Sequence, residues 1–282
     1  MDSLAPGSTR TDAEKTEALA RRYGAALPPA GPWNEIIANL LDHGSVRGFL
    51  PDPVPAGTLE TLIAAAQSAA TSSNMQFWSA IAVSDPAKRK ILAEIAGDQK
   101  HIEQCPLYIA WVADLSRNER LGEAERTNLE SVPWLETFMV ACIDAALAAQ
   151  NAVVAAQSLG LRTVYIGAMR NDPVRVAELL GLPPRAFVVF GLCVGYADPQ
   201  AKNEVKPRLP QSIVLHHDAY DPAPETRDRP AYDAEMSKFS NRHELQATTW
   251  TQRVLNRMGP LKSMNGRERM RAALARLGFE IR

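Results

Sequence analysis

Cationic and hydroxyl-bearing residues cluster at three places, each directly after a predicted helix or strand: His43, Ser45 and Arg47; Thr71, Ser72 and Ser73; and Lys206 and Arg208. A guanidinium binds a phosphate through two parallel hydrogen bonds, an ammonium acts as a point charge, and hydroxyls can satisfy the remaining oxygen lone pairs. Taken one at a time, each cluster is more typical of a solvated loop or a helix cap. Taken together, they could hold a phosphate and the polar edge of a cofactor.

Two backbone features bear on the same chemistry. Pro207 restricts Lys206 to an extended conformation and so fixes how the two neighbouring cations project. Gly167, at the end of the short predicted strand TVYIG, would let a planar ligand approach the main chain, where N–H groups could donate to a ring nitrogen. An ordinary turn from strand to helix explains Gly167 equally well.

Other chemistries find little support in the sequence. No G-x-G-x-x-G, P-loop or G-x-S-x-G motif is present, so neither a dinucleotide-binding Rossmann site nor a nucleophilic serine is predicted. His216, His217 and Asp218 resemble a metal cluster, but adjacent histidines on a strand point to opposite faces of the sheet. We therefore expect no metal site.

Composition indicates a folded globular chain: of 282 residues, 46% are hydrophobic and 22% charged. The net charge of −1 provides no overall field for nucleic acid or an anionic membrane. The dispersed Cys105, Cys142 and Cys193 predict reduced core thiols rather than disulfides. Polar residues interrupt the most apolar segment, 138–160, so we expect no membrane span. With no apolar leader at the N-terminus, we expect a cytoplasmic protein.

Hydrophobic periodicity interleaves helices with strands. Helices are predicted over 12–23, from Trp33 or Asn34 to the His43 motif, and over an Ala-rich stretch before Thr71. Strands are predicted over 77–84, 106–114, 163–167 and 186–197. We divide the chain into a partly disordered N-terminal extension, 1–32, and a main domain, 33–282, that ends in a C-terminal helical extension.

One long helix is predicted from Pro133 to Leu159, stopped by Gly160, with a length of roughly 40 Å at 1.5 Å per residue. Its apolar residues lie on more than one side. Such a helix needs partners all around it, so we expect it to form the axis of the core and of a dimer.

Several blocks of sequence occur in the order found in a known family: HGSVRGF, AAQSAATSSNMQ, GDQKHIEQCP, DAALAAQNAVVAAQSLGL, VYIGAMRNDP, FGLCVGYADP and KPRLPQSIVLHHDAY. Together they cover roughly residues 34–255. The chain thereby resembles the FMN-dependent nitroreductase family, and within it the oxygen-insensitive NADPH nitroreductases and NADPH–FMN oxidoreductases. This resemblance implies an α+β flavoprotein fold with a central, mostly antiparallel sheet, flanking helices and a long central helix. It also implies a homodimer with two FMN sites at the subunit interface.

The resemblance assigns cofactor-binding positions to His43, Gly44, Ser45, Arg47, Thr71, Ser73, Gln99, Ile166, Gly167, Lys206 and Arg208. In this assignment Arg47 and Arg208 lie near the FMN phosphate. Lys206 lies by N1 and O2 of the flavin or by the ribityl chain. Thr71 and Ser73 reach across from the other subunit.

The remaining assignments concern the flavin ring. Gln99 would hydrogen-bond the ring or the ribityl chain, and Ile166 and Gly167 would lie along the isoalloxazine close to N5. The sequence departs from the family pattern at three positions, two of which concern the FMN site. Gly44 stands where this group usually has a second arginine, and Ala168 replaces the usual second glycine, which narrows the space expected near the ring.

The C-terminal region of this group carries a basic loop that binds the 2′-phosphate of NADPH. Arg242 matches one of its arginines, but Ala247 stands at the position of the other. The preference between NADPH and NADH is therefore left open by the sequence.

The implied function is that of an FMN-dependent NAD(P)H oxidoreductase, which reduces nitroaromatics, quinones or flavins by ping-pong hydride transfer through flavin N5. No catalytic side chain is assigned, because the chemistry belongs to the cofactor. One alternative is a flavin carrier or sensor without efficient nicotinamide turnover. Another is a relative specialised for a single nitroarene.

Overall fold

The computed structural model describes residues 11–25, 27–28, 31–246 and 248–282. Within them the α-helices are α1 (Asp12–Tyr23), α2 (Glu35–Leu41), α3 (Thr58–Gln67), α4 (Pro86–Ile95), α5 (His101–Gln104), α6 (Ser116–Ala124), α7 (Leu135–Ser158), α8 (Pro173–Leu180), α9 (Gln211–Val214), α10 (Ala223–Arg242), α11 (Trp250–Met258) and α12 (Met270–Arg276). The strands are β1 (Trp78–Ala82), β2 (Leu107–Asp114), β3 (Arg162–Ile166) and β4 (Ala186–Gly195). Short 3-10 helices cover Ser72–Asn74, Gly167–Asn171, Leu261–Met264 and Arg267–Arg269.

The chain divides into two compact units. The first unit consists of Met1–Gly44 and Lys202–Ser263, and the second of Ser45–Ala201 and Met264–Arg282. The predicted disorder at the N-terminus falls largely on residues 1–10, which lie outside the described residues. The predicted boundary at residue 32 remains a prediction.

The second unit is built on one antiparallel sheet with the strand order β1-β2-β4-β3. Its two central strands are almost wholly buried, which agrees with their runs of β-branched and aromatic residues. The α+β class and the mostly antiparallel sheet expected from the sequence are confirmed. Cys105 and Cys193 are buried free thiols and Cys142 is a partly buried one, as predicted.

The long helix is confirmed as α7, and its buried face is made largely of alanine. Ala148, Ala149, Ala152 and Ala156 are fully buried and pack with Leu62 of α3 and with strand residues. Among the described residues, α7 is the one helix long and apolar enough to cross a membrane. Length and composition alone therefore do not exclude a span, contrary to our expectation, although the packing is that of a core helix.

The opposite side of α7 carries a row of exposed apolar side chains. Leu135, Met139, Ile143 and Leu147 recur every four residues and are 45%, 48%, 52% and 44% exposed, respectively. Residues at this spacing lie on one face of a helix. The second unit therefore presents a continuous apolar stripe.

In the first unit, α1 packs on α2 through Ala18, Leu19, Trp33 and Ala38. In the C-terminal part of the unit, α10 runs for 20 residues and includes Pro230. The assumption that the two adjacent histidines lie on a strand is wrong. α9 ends before them, and His216 accepts a hydrogen bond from the backbone N–H of Asp221 within a turn.

Candidate functional site

In the second unit, the chain after Gly44 runs alongside β3. The N–H of Val46 donates to the carbonyl of Thr163 at 3.0 Å, and Val46 is buried. Successive side chains of an extended segment point in opposite directions. Burying Val46 therefore turns Ser45 and Arg47 outward, and both are exposed.

Arg47 forms no ion pair with any carboxylate in the described part of the chain. The pKa of His101 is lowered mainly by burial, and the positive charge of Arg47 lowers it further. His101 is a buried residue that the sequence analysis did not assign, although it lies in the block GDQKHIEQCP. Gln99, two residues earlier, is half-buried, and its amide donates to the carbonyl of Ala96 at 2.9 Å.

The hydroxyl-rich turn after α3 is held by a carboxylate from α7. The side chain of Asp144 accepts hydrogen bonds from the hydroxyl of Thr71 at 2.5 Å, from the N–H of Ser72 at 3.2 Å and from the N–H of Phe77 at 3.2 Å. Ser73 adopts a left-handed conformation with φ of 48°. Because the hydroxyl proton of Thr71 is used inside the turn, the exposed Ser73 is the freer donor to a ligand.

Asp144 was missed as a functional residue. In the sequence it appeared only as a polar interruption of an apolar helix. A carboxylate placed in a buried helix face has to be hydrogen-bonded, so that position was itself a usable signal.

The end of β3 presents mainly backbone. The side chain of Ile166 is buried in the core, so a ligand would meet its main chain. A β-carbon on Gly167 would lie 3.2 Å from a guanidinium nitrogen of Arg170, which folds over it. The methyl of Ala168, the residue that differs from the family pattern, is buried in the same core cluster.

In the first unit, the Lys206–Arg208 segment is fixed through its backbone. The hydroxyl of Tyr232 donates to the carbonyl of the buried Pro207 at 3.1 Å. The ammonium of Lys206 lies 5.7 Å from the centre of the Phe239 ring, within range of a cation–π contact. Arg208 is exposed, and its guanidinium donates to the carbonyl oxygens of Lys206 and Pro207 in its own segment.

Two charged residues beside this segment are paired. Arg242, the last residue of α10, donates to one oxygen of Glu204 from two nitrogens, at 3.1 and 2.9 Å. The hydrogen bond from Arg242 is the main reason that the pKa of Glu204 is lowered. A β-carbon on Gly44 would lie 3.4 Å from the Glu204 carbonyl oxygen, which is ordinary van der Waals contact.

These donors suit an anionic group. Arg47 and Arg208 are exposed guanidiniums without a carboxylate partner among the described residues, and each can bind a phosphate through two hydrogen bonds. Each unit holds part of the predicted set: Ser45 and Arg47 belong to the second unit, and Lys206 and Arg208 belong to the first. The available chemistry fits the phosphate and polar edge of FMN.

Comparison with known proteins agrees with this chemistry. The model described as "Nitroreductase family" matches residues 40–196, and the one described as "Nitroreductase family, C-terminal domain" matches residues 206–282. An FMN reductase (NADPH) from Bacillus subtilis is 37% identical over 233 residues, covering 80% of this chain and 92% of that protein.

Solved structures also match over most of their length. The structure of NfrA2 from B. megaterium has a TM-score of 0.81 and 38% identity, covering 89% of this chain and 100% of that one. The NADPH:FMN oxidoreductase from Vibrio harveyi, solved in complex with NAD+, has a TM-score of 0.78 and 32% identity, with coverages of 88% and 100%.

The role of Asp144 leads to a prediction. Replacing Asp144 with Ala leaves two backbone N–H groups and one hydroxyl without their acceptor. We expect the free energy of unfolding to fall by about 2–4 kcal/mol. Hydrogen–deuterium exchange at residues 71–77 should also accelerate. Asp144→Asn keeps one acceptor oxygen and should show a smaller loss in urea unfolding.

Asp114→Ala is the matched control for this prediction, because Asp114 is also a buried carboxylate, bonded to Ser79 and Ser116. It should destabilise the protein without selectively exposing the turn. Exchange in the turn that stays at the wild-type rate in Asp144→Ala would contradict the role assigned to Asp144.

Proposed function

The chain belongs to the nitroreductase family, and on this premise we propose that it is an FMN-dependent NAD(P)H oxidoreductase that reduces small-molecule acceptors. The observation that carries the proposal is the pair of exposed guanidiniums, Arg47 and Arg208. They lack carboxylate partners in the described residues and stand at the positions that the family resemblance assigns to the FMN phosphate. Nitroaromatics, quinones and free flavins are the acceptor classes that we propose.

The protein's part in the reaction is to bind and orient. When bound, FMN would supply the redox chemistry, hydride transfer between nicotinamide and acceptor. Arg47 and Arg208 would neutralise the phosphate. Lys206 would stabilise the negative charge that reduction adds to the ring system. No side chain need act as a general acid or base.

The proposed order of binding assumes that the protein would leave one ring face of FMN open. If nicotinamide and acceptor use the same face in turn, the kinetics are ping-pong. The rival function is a flavin carrier or sensor, in which FMN binds but nicotinamide does not reduce it. Gly44 stands where this group usually has a second arginine, and this missing cation is the observation behind the carrier or sensor alternative.

Anaerobic mixing separates the two functions. FMN-loaded protein mixed with NADPH or NADH should lose its visible flavin absorbance within seconds, and a nitroarene, quinone or free FMN added afterwards should restore it. Bound flavin that keeps its absorbance for minutes would favour the carrier. If the protein binds no FMN, both proposed functions are wrong.

The Arg242–Glu204 pair generates a prediction on nicotinamide choice. In our proposal Arg242 binds the 2′-phosphate of NADPH, which must compete with the carboxylate of Glu204. An exposed ion pair contributes at most about 1 kcal/mol, so Glu204→Gln should lower the Michaelis constant for NADPH by up to roughly five-fold. Arg242→Ala should raise it, and the Michaelis constant for NADH should change little in either variant.

The control for this prediction is Lys238→Ala, which removes another exposed cation of α10 that is paired with Glu235. It should leave both Michaelis constants unchanged. Equal effects of Arg242→Ala on NADPH and NADH would show that Arg242 does not recognise the 2′-phosphate.

The protein is also proposed to be a homodimer. The stripe of Leu135, Met139, Ile143 and Leu147 on α7 is the supporting observation, because a row of half-exposed aliphatic side chains is unfavourable in water. A second copy of the chain could cover it through the same face. On the basis of the family resemblance, we expect the two FMN sites to lie at such an interface.

An arginine in the middle of this stripe tests the dimer. Ile143→Arg should yield a monomer by light scattering coupled to gel filtration, because a buried unpaired charge is costly. FMN should then be lost on dilution. Leu121→Arg, at an equally exposed position on α6, should leave the mass unchanged. A dimer that persists in Ile143→Arg would rule out this face.

A further inference from the structure

Arg22 of α1 is the most deeply buried arginine of the first unit, at 5% exposure. Its guanidinium donates to the carbonyls of Leu41 and His43, both at 2.7 Å, and to the carbonyl of Lys206 at 2.9 Å. Its own carbonyl accepts a hydrogen bond from the N–H of Arg208 at 2.8 Å. One residue therefore joins two segments that lie far apart in sequence.

At the first of these segments, Arg22 closes the C-terminal end of α2. The last carbonyls of a helix have no partner within the helix and carry partial negative charge, so a cation that bonds them is stabilising. Leu41 is the last residue of α2. Because Arg22 donates to the carbonyls of both Leu41 and His43, it fixes the path of the chain from the end of the helix toward Gly44.

At the second segment, Arg22 is hydrogen-bonded to the backbone of the two cationic residues. Lys206 and Arg208 are bonded to Arg22 through their main chains, and Pro207 between them is bonded to Tyr232. Three successive residues are thus held by hydrogen bonds from other elements. These contacts are made by the backbone, and the side chain of Arg208 stays exposed.

The charges of Arg22 and Arg208 also act on each other. Burial is the main cause that lowers the pKa of Arg22, and the positive charge of Arg208 lowers it further. Arg22 donates to neutral carbonyls in the three bonds described, while the charges of Tyr23 and Asp42 act in the opposite direction and raise its pKa. A bound dianion would relieve the repulsion between the two guanidiniums.

We propose that Arg22 is a positioning residue for the FMN phosphate: by tying the end of α2 to the Lys206–Arg208 segment, it holds the cations in place before the cofactor binds. This inference rests on the proposed function. α1 precedes the stretch matched by the family model, which begins at residue 40. The N-terminal extension would thereby serve the cofactor site, without contacting FMN itself.

Affinity for two flavins tests the proposal. FMN carries the phosphate and riboflavin lacks it, so a positioning role for the phosphate should appear as a selective loss. In Arg22→Ala we expect the dissociation constant for FMN, measured by quenching of flavin fluorescence, to rise roughly 10-fold or more. The dissociation constant for riboflavin should stay within about two-fold. A purely structural role would weaken both flavins alike, and that result would overturn the proposal.

Matched variants complete the experiment. Arg21→Ala removes the adjacent arginine of α1, which is exposed and paired with Glu17, and should change neither constant. Arg208→Ala should weaken FMN, and the double variant Arg22→Ala/Arg208→Ala should be little weaker than Arg208→Ala alone, because Arg22 acts through Arg208. Strict additivity of the two effects would count against the proposal.

Further outcomes distinguish a failure of this inference from a folding defect and from a failure of the proposed function. If Arg22→Ala fails to fold by circular dichroism, Arg22→Lys decides, since an ammonium keeps the charge but cannot span the same three carbonyls. Its selective loss of FMN affinity supports the inference, and wild-type FMN affinity overturns it. If wild-type protein binds no FMN, the proposed function itself fails. If Arg208→Ala weakens FMN and Arg22→Ala does not, only the inference fails.

Discussion

The close packing of α7 is the constraint on which the second unit depends. Fully buried alanines let the helix approach the sheet and α3 closely, so no other face of α7 could replace this one. Once that face is fixed, the positions of the others follow. Asp144 reaches the turn at Thr71, and the stripe through Ile143 is left in solvent. A single helix therefore forms part of the core, holds the turn at Thr71 and leaves an apolar stripe exposed.

The first unit follows a different rule, the pairing of buried polar groups. Its cationic segment has no regular secondary structure, so its carbonyls and N–H groups need partners from elsewhere. Arg22 and Tyr232 supply them. This arrangement orders the backbone while leaving Arg208 exposed. An irregular segment becomes a rigid support for a charged side chain without neutralising it.

The two kinds of arginine in this molecule differ in the partners they have. The guanidinium of Arg242 is paired with a carboxylate, whereas the guanidinium of Arg208 donates to a carbonyl oxygen. A cation paired with a carboxylate offers an exchangeable site, suited to a co-substrate that must leave in each cycle. A cation without a carboxylate offers a stronger field, suited to a cofactor that must stay. This difference is consistent with a bound flavin and a transient nicotinamide.

The sequence by itself determined the secondary structure that depends on local signals. Asn34, Asp85 and Asp172 cap helices, as Asn and Asp side chains commonly do, and Gly181 ends α8 in the left-handed conformation. The pattern of hydrophobic residues predicted the four strands and α7. The order of the sequence blocks indicated the family. These features depend on neighbours within a few residues, so they can be recognised along the chain.

Only the tertiary structure decided which polar groups meet. Arg22 and Lys206 are 184 residues apart, and Thr71 and Asp144 are 73 apart. No local pattern links such pairs, because a hydrogen bond between distant residues is specified by the packing of whole elements. The predicted strand at His216 failed for the same reason, since a short apolar run fits a turn or a strand until its neighbours are known. The residue types indicated chemistry suited to an anion, and the fold determined which distant side chains hold the segments that carry those residues.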